Sequence, residues 1–139
     1  TIKIWNAKSG ECIRTLKGHT WDVLCVAWSP NGEIIASCSA DETIKIWNAK
    51  TGDCLQTLEG HNSNINSVSF SHDNEHIIST SDDETIKIWE LKKGNCLQTL
   101  KGHKDFSIFA SFNPNGEEII STSFDQTIRV WKVKNSDKS

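Results

Sequence analysis

The stretch Thr43-Ile44-Lys45-Ile46-Trp47 recurs as Thr1-Ile2-Lys3-Ile4-Trp5, as Thr85-Ile86-Lys87-Ile88-Trp89 and as Thr127-Ile128-Arg129-Val130-Trp131. The four threonines stand at 1, 43, 85 and 127, a constant step of 42 residues. A fixed period of this size marks a repeat architecture, in which each unit stacks on its neighbours. The stretch is rich in β-branched residues and closes on Trp, which suits a strand buried on both faces.

Other columns keep the same step. Gly-His falls at Gly18-His19, Gly60-His61 and Gly102-His103, and an Asp precedes each later stretch at Asp41, Asp83 and Asp125. Gly10-Glu11-Cys12, Gly52-Asp53-Cys54 and Gly94-Asn95-Cys96 align, as do Trp28-Ser29-Pro30, Phe70-Ser71-His72 and Phe112-Asn113-Pro114. A Gly-His followed by a late Trp at this period resembles the Trp-Asp (WD) repeat, the unit of many β-propellers. The resemblance runs from residue 1 to about residue 134, with residues 135–139 read as a frayed polar tail. It implies an all-β propeller of about three blades, each of four antiparallel strands, as part of a larger, seven-blade-like ring. The family often has Asp after the Trp, where this chain has Asn6, Asn48, Glu90 and Lys132.

The period places strand a of each unit at residues 23–28, 65–70 and 107–112, and strand b at 34–39, 76–81 and 118–123. Strand c is expected at 1–5, 43–47, 85–89 and 127–131, and strand d at 12–16, 54–58 and 96–100. The turn signals Ser29-Pro30-Asn31-Gly32 and Asn113-Pro114-Asn115-Gly116 separate a from b. No helix is expected. A chain of 139 residues holds 139/42, or 3.3, such units, fewer than the four to eight blades of a closed propeller. Both ends supply a strand c, so the expectation is a piece of a longer protein, or copies that complete one another.

Composition narrows the function. Fifteen basic against 18 acidic residues leave a net charge of -3, without the basic excess of a dedicated nucleic-acid binder. No apolar run reaches membrane-spanning length, and no targeting leader is expected. The five cysteines, an odd number, fit poorly with a disulfide framework. They read as small buried hydrophobes in a reducing, intracellular setting, cytoplasmic or nuclear. No phosphate-cradling G-x-x-x-x-G-K and no metal cluster is apparent, so no cofactor or metal is expected. His72 and His76 read as a solvent-facing pair, and the Lys3, Lys45, Lys87 and Arg129 column as stems lying along a blade face.

The resemblance also implies a hydrogen-bonded tetrad in each unit, made by a His before strand a, a Ser in strand b, an Asp in the b–c turn and the Trp of strand c. The matching sets are His19, Ser37, Asp41 and Trp47; His61, Ser79, Asp83 and Trp89; and His103, Ser121, Asp125 and Trp131. Ser39, Ser81 and Ser123 lie two residues on along the same strand face, so the choice of serine stays open. Trp5 lacks its His and Asp. Ser, His and Asp together also fit an acyl-transfer triad. Three copies in register favour a structural part, and no catalytic residue is assigned.

Function is therefore expected at the rim. In the resembling family partners dock on the face carrying the d–a loops and b–c turns. The residues there that differ between units are Trp21, Asp22, Leu24, Ala40, Asn64, Asn66, Asp82, Phe106, Ile108 and Phe124. Phe106, Ile108 and Phe124 would make one apolar rim, unless Phe106 or Ile108 turns inward to compensate for Ser107, which stands where Val23 and Ile65 stand in other units. The function expected is a protein-interaction scaffold without catalysis, with other proteins, peptides or further copies of itself as partners. The alternative is a regulatory or sensor segment of a larger enzyme, such as a kinase or a nucleotide-dependent switch ATPase.

Overall fold

A computed structural model describes residues 1–134. Thirteen strands and no helix occur among them. β1 (Ile2–Trp5) and β2 (Cys12–Leu16) form a two-stranded sheet. β3 (Val23–Trp28), β4 (Ile34–Ser39), β5 (Thr43–Asn48) and β6 (Cys54–Glu59) form the first four-stranded sheet in sequence order. β7 (Ile65–Phe70), β8 (His76–Ser81), β9 (Ile86–Glu90) and β10 (Cys96–Leu100) form the second. β11 (Ser107–Phe112), β12 (Glu118–Ser123) and β13 (Ile128–Lys132) form a three-stranded sheet. Every pairing is antiparallel between consecutive strands. The all-β architecture of four-stranded sheets is the one the resemblance implies. The expected frayed tail at 135–139 lies outside the described residues.

The sheets stack side by side, with first strands β3, β7 and β11 against one another. The core is accordingly divided into seams. One seam holds Ala36, Cys38, Ile44 and Ile46 from the β3–β6 sheet against Val68, Ile77, Trp89 and Leu91 of the next. A second joins Ile78, Ile86 and Ile88 to Ala110, Phe112 and Ile119. A third joins Ile2 and Leu16 to Ile35 and Trp47. Strand alternation explains this division. Ile35 points to the preceding sheet and Ala36 to the following one, so each central strand feeds two seams and is buried on both faces. Polar bonds also cross the seams: Ser69 Oγ donates to Ala110 O at 3.0 Å, and Gln56 Nε2 to Leu91 O at 2.8 Å.

The cysteine reading needs correction. Cys38 is buried, Cys25 is half-buried, and Cys12, Cys54 and Cys96 are exposed. These three open the outermost strands β2, β6 and β10, which are paired on one side only. Small apolar character did not decide their burial; position in the sheet did. Ser107 is fully buried and its hydroxyl has no partner among the described residues.

Repeat-equivalent positions test the stacking. Ile86 is fully buried, whereas its equivalent Ile128 is 69% exposed. Ile86→Ala is expected to cost about 2–5 kcal/mol and Ile128→Ala less than about 0.5 kcal/mol, read by urea denaturation of the 139-residue chain. Equal losses would mean that the two isoleucines share one environment and that the seams are misplaced.

Candidate functional site

Two assemblies repeat at the same end of the three sheets that begin with β3, β7 and β11: a hydrogen-bonded relay and, above it, an exposed rim. In the first full sheet Trp47 Nε1 donates to Ser37 Oγ at 2.8 Å, and Ser37 Oγ lies 2.7 Å from His19 Nε2. His19 Nδ1 lies 2.8 Å from Asp41 Oδ2. A carboxylate only accepts, so His19 Nδ1 carries a proton and donates it. Nε2 of a neutral ring then accepts from the Ser37 hydroxyl, which in turn accepts from the indole. Every member is satisfied in one direction of donation, Trp to Ser to His to Asp. The second sheet repeats this through Trp89, Ser79, His61 and Asp83 at 2.8, 2.7 and 2.7 Å. The third does so through Trp131, Ser121, His103 and Asp125 at 2.8, 2.8 and 2.7 Å.

Sequence left two serines open, and their hydroxyls have different partners here. Ser39, Ser81 and Ser123 each accept the N–H of the turn aspartate at 3.0 Å. They hold the b–c turn, whereas Ser37, Ser79 and Ser121 hold the Trp and the His. The latter three are fully buried, each hydroxyl already enclosed by an indole and an imidazole. Trp5 is 56% exposed, with the Lys3 ammonium 5.9 Å from its ring.

The relay has a fifth member that the sequence analysis missed. Thr43 Oγ1 donates to Asp41 Oδ1 at 2.6 Å, and Thr85 and Thr127 do the same to Asp83 and Asp125 at 2.6 and 2.5 Å. The signal was present, because these threonines open the repeated stretch in every copy. Backbone N–H groups complete the set: Thr20 N and Thr43 N reach Asp41 at 3.1 and 3.0 Å. The glycine before each His is explained by close approach. A Cβ on Gly60 would lie 3.2 Å from the Trp89 ring, and one on Gly102 3.0 Å from Trp131. The ring, pinned by its N–H, has little freedom to retreat.

The carboxylates respond. Burial pushes the Asp41 pKa up, but bonds from Thr43, from His19 and from the Thr20 and Thr43 N–H groups outweigh it and bring the group down to about 2. At Asp83 burial is again opposed, by His61, Thr85 and the Asn62 N–H, and the carboxyl is held below the usual range.

The rim is built on the relay. Ala40 N donates to Asp22 O at 2.9 Å, Asp82 N to Asn64 O at 3.0 Å, and Phe124 N to Phe106 O at 3.0 Å. Each b–c turn is thus stapled through backbone to its own d–a loop, pairing Asp22 with Ala40, Asn64 with Asp82, and Phe106 with Phe124. The register of each first strand slips at Leu24, Asn66 and Ile108, which are left without a cross-strand partner. A bulge of this kind re-aims a side chain. Asn66 is turned to the next sheet, donating to Asp82 Oδ1 at 2.7 Å and Ser107 O at 2.9 Å. Leu24 is 44% exposed and Trp21 71%. Ile108 is half-buried. The Phe106 and Phe124 rings lie 6.0 Å apart and are 40% and 62% exposed. Phe106 therefore does not turn inward to fill the space over Ser107.

Of the two off-column histidines, His72 is exposed and His76 half-buried. Asp73, Glu75 and His76 bring three donor atoms within 4.8 Å of one another in the β7–β8 turn. Asp73 Oδ1 is already engaged by Ser71 and by Glu75 N–H. Lys45 and Lys87 lie along their sheets with Nζ on Thr57 and Thr99 at 2.9 and 2.8 Å.

Stacked four-stranded antiparallel sheets, each with a Trp–Ser–His–Asp relay at one end, define a repeat protein of the β-propeller class. The family described as WD domain, G-beta repeat matches residues 10–48, 52–90 and 94–132, and the chain belongs to that family. Similar proteins include a Protein HIRA homolog of Drosophila melanogaster, 55% identical over 38 residues, which are 27% of this chain and 4% of that protein. Ribosome assembly protein 4 of Saccharomyces cerevisiae is 51% identical over 37 residues, 27% of this chain and 7% of that protein. WD repeat-containing protein srw1 of Schizosaccharomyces pombe is 52% identical over 42 residues, 30% and 8% respectively. The matched segments thus span less than a tenth of these relatives' length, and each is about one repeat long.

Two outcomes test the relay. His61→Ala is expected to lower stability by about 1–3 kcal/mol by stranding Ser79 and Asp83. Combined with Ser79→Ala its effect should be non-additive by at least about 0.5 kcal/mol; additive losses by urea denaturation would break the chain of donation. Protonation gives an independent readout. A carboxyl with a folded pKa below the unfolded value of about 3.9 stabilises the fold above that pH. For Asp41 that contribution is lost as pH falls toward about 2. Stability should therefore drop between about pH 4 and about pH 2, and Asp41→Asn should flatten that slope in acid-urea titrations; an unchanged slope contradicts the assignment.

Proposed function

We propose that the chain is a protein-interaction scaffold that recognises partners with the rim where the d–a loops and b–c turns meet. Membership of the WD repeat family supports a scaffold role in general. The observation that carries the finer reading is the exposed Phe106–Phe124 pair, with the half-buried Asp82 of the neighbouring sheet linked through Asn66 to the carbonyl of Ser107, the residue after Phe106. Paired aromatics with a carboxylate on the neighbouring sheet suit an apolar anchor residue flanked by a basic one on a peptide or protein partner. Trp21 offers a second apolar contact on the first full sheet. The relatives' names point the same way in outline: one speaks of ribosome assembly, and what carries over is only the holding together of other proteins. Five free thiols suit an intracellular compartment.

Self-association belongs to this reading. Val26 and Trp28 are 51% and 54% exposed, and Ile128 and Val130 are 69% and 67% exposed. Their repeat equivalents Val68, Phe112, Ile86 and Ile88 are buried in seams between sheets. Both faces are thus apolar and less covered than their equivalents inside the stack, although beside β3 the places of Ile86 and Ile88 are already held by Ile2 and Ile4 of β1.

Selection of a displayed random peptide library on the chain tests the rim. Enriched peptides should combine an aromatic or aliphatic anchor with Lys or Arg. Phe106→Ala/Phe124→Ala should weaken them at least about 30-fold, equivalent to about 2 kcal/mol, without lowering the melting temperature. His72→Ala on the opposite turns should leave binding unchanged. Equal binding by the double variant would move recognition off this rim.

A further inference from the structure

Neither the relay nor the rim uses the two thiols that face each other in the first full sheet. Cys25 on β3 and Cys38 on β4 are cross-strand partners in the register. Paired residues of antiparallel strands have Cα atoms about 4.5–5.5 Å apart, inside the roughly 4.4–6.8 Å that a disulfide spans. The next sheet shows that side chains at these positions meet. There the same columns hold Ser67 and Thr80, whose hydroxyl oxygens are 2.6 Å apart. In the third sheet they hold Phe109 and Thr122. A dithiol is thus confined to one sheet, in columns whose side chains come together.

We propose that Cys25 and Cys38 form a reversible redox site, a dithiol that a hydroperoxide converts into a cross-strand disulfide. Cys38 is fully buried and Cys25 half-buried, so Cys25 is the sulfur an oxidant reaches. The Cys38 thiol across the strand pair holds the Cys25 thiol below its usual range although burial opposes this. The same contact, with burial, pushes Cys38 up. The order of steps follows. The Cys25 thiolate attacks one oxygen of the hydroperoxide and the O–O bond breaks. Cys25 becomes a sulfenic acid, and the second oxygen takes a proton and leaves as water or alcohol. The Cys38 sulfur then attacks the sulfenic sulfur. The S–S bond forms, the S–O bond breaks, and the hydroxide departs with the Cys38 proton as water. Two electrons pass from the thiol pair to the peroxide, and a thiol reductant returns them.

The exposed Cys12, Cys54 and Cys96 serve as internal controls. The reduced full chain is treated with about one equivalent of hydrogen peroxide, alkylated in denaturant and peptide-mapped. The expected result is loss of two of the five thiols, recovered as a Cys25–Cys38 linked peptide that dithiothreitol separates. Cys38→Thr should stop the reaction at a Cys25 sulfenic acid, trapped by dimedone. Cys25→Ser/Cys38→Thr installs the pair already carried by the second sheet, so it is compatible with the fold, and it should keep its remaining thiols at the same dose. Oxidation at Cys12, Cys54 or Cys96 with Cys25 and Cys38 intact overturns the proposal, as does the same thiol loss in the double variant.

Discussion

Trp47 and Trp89 each bring one donor into a fully buried place and Trp131 one into a half-buried place, and the fold is arranged around giving that indole N–H an acceptor. Stranding it would cost about 1–3 kcal/mol, a large share of the margin of a small domain. Ser37, Ser79 and Ser121 supply the acceptor, but a buried hydroxyl then needs somewhere to send its own proton. The imidazole takes it, and the carboxylate takes the imidazole's. The donation ends only where four donors converge on one carboxylate, as at Asp41. That carboxylate sits in the b–c turn, and the His sits in the d–a loop. Satisfying an indole in the seam therefore fixes two loops at the sheet end.

This coupling runs alongside the way the sheets bury apolar surface. No sheet has a core of its own. Ile44 and Ile46 meet the following sheet while Ile35 and Trp47 meet the preceding one. A unit is stabilised by its neighbours, so identical residues have different environments according to place in the stack. Ile86 and Ile128 are equivalent by sequence and opposite by exposure. Stability in such an array is close to a sum of units and seams. The relay adds what packing alone cannot, a specific angle between the strands and the loops that join them.

Much of this was legible in the chain because the period is exact. Strand positions, turns and the four-stranded grouping follow from columns at a step of 42 residues, and the geometry holds His, Ser, Asp and Trp together in three copies. What sequence did not decide has physical reasons. Two serines one pleat apart share a strand face, and only distances separate the one under the Trp from the one under the turn. Thr43, Thr85 and Thr127 were conspicuous as strand openers, which hid their second task on the carboxylate. The Cys12, Cys54 and Cys96 column was misread because a small apolar side chain says nothing about whether its strand is central or outermost. The bulges at Leu24, Asn66 and Ile108 have no composition signal, since an unpaired residue can be Leu, Asn or Ile alike.

The rim shows why such a frame suits recognition. The staples between d–a loop and b–c turn are backbone bonds, from Ala40 N, Asp82 N and Phe124 N to the carbonyls of Asp22, Asn64 and Phe106. A backbone bond is indifferent to the side chain above it. Ala, Asp and Phe therefore occupy one geometric position in successive sheets at little cost to the fold beneath, because the turn is held by the aspartate one residue later. Exposed aromatics ordinarily carry a solubility penalty and no structural benefit. Phe106 and Phe124, 6.0 Å apart on a loop and a turn held by backbone bonds, are the side chains the proposed recognition would use. Separating the residues that hold the loop from those displayed above it lets one unit be copied unchanged while its rim diverges.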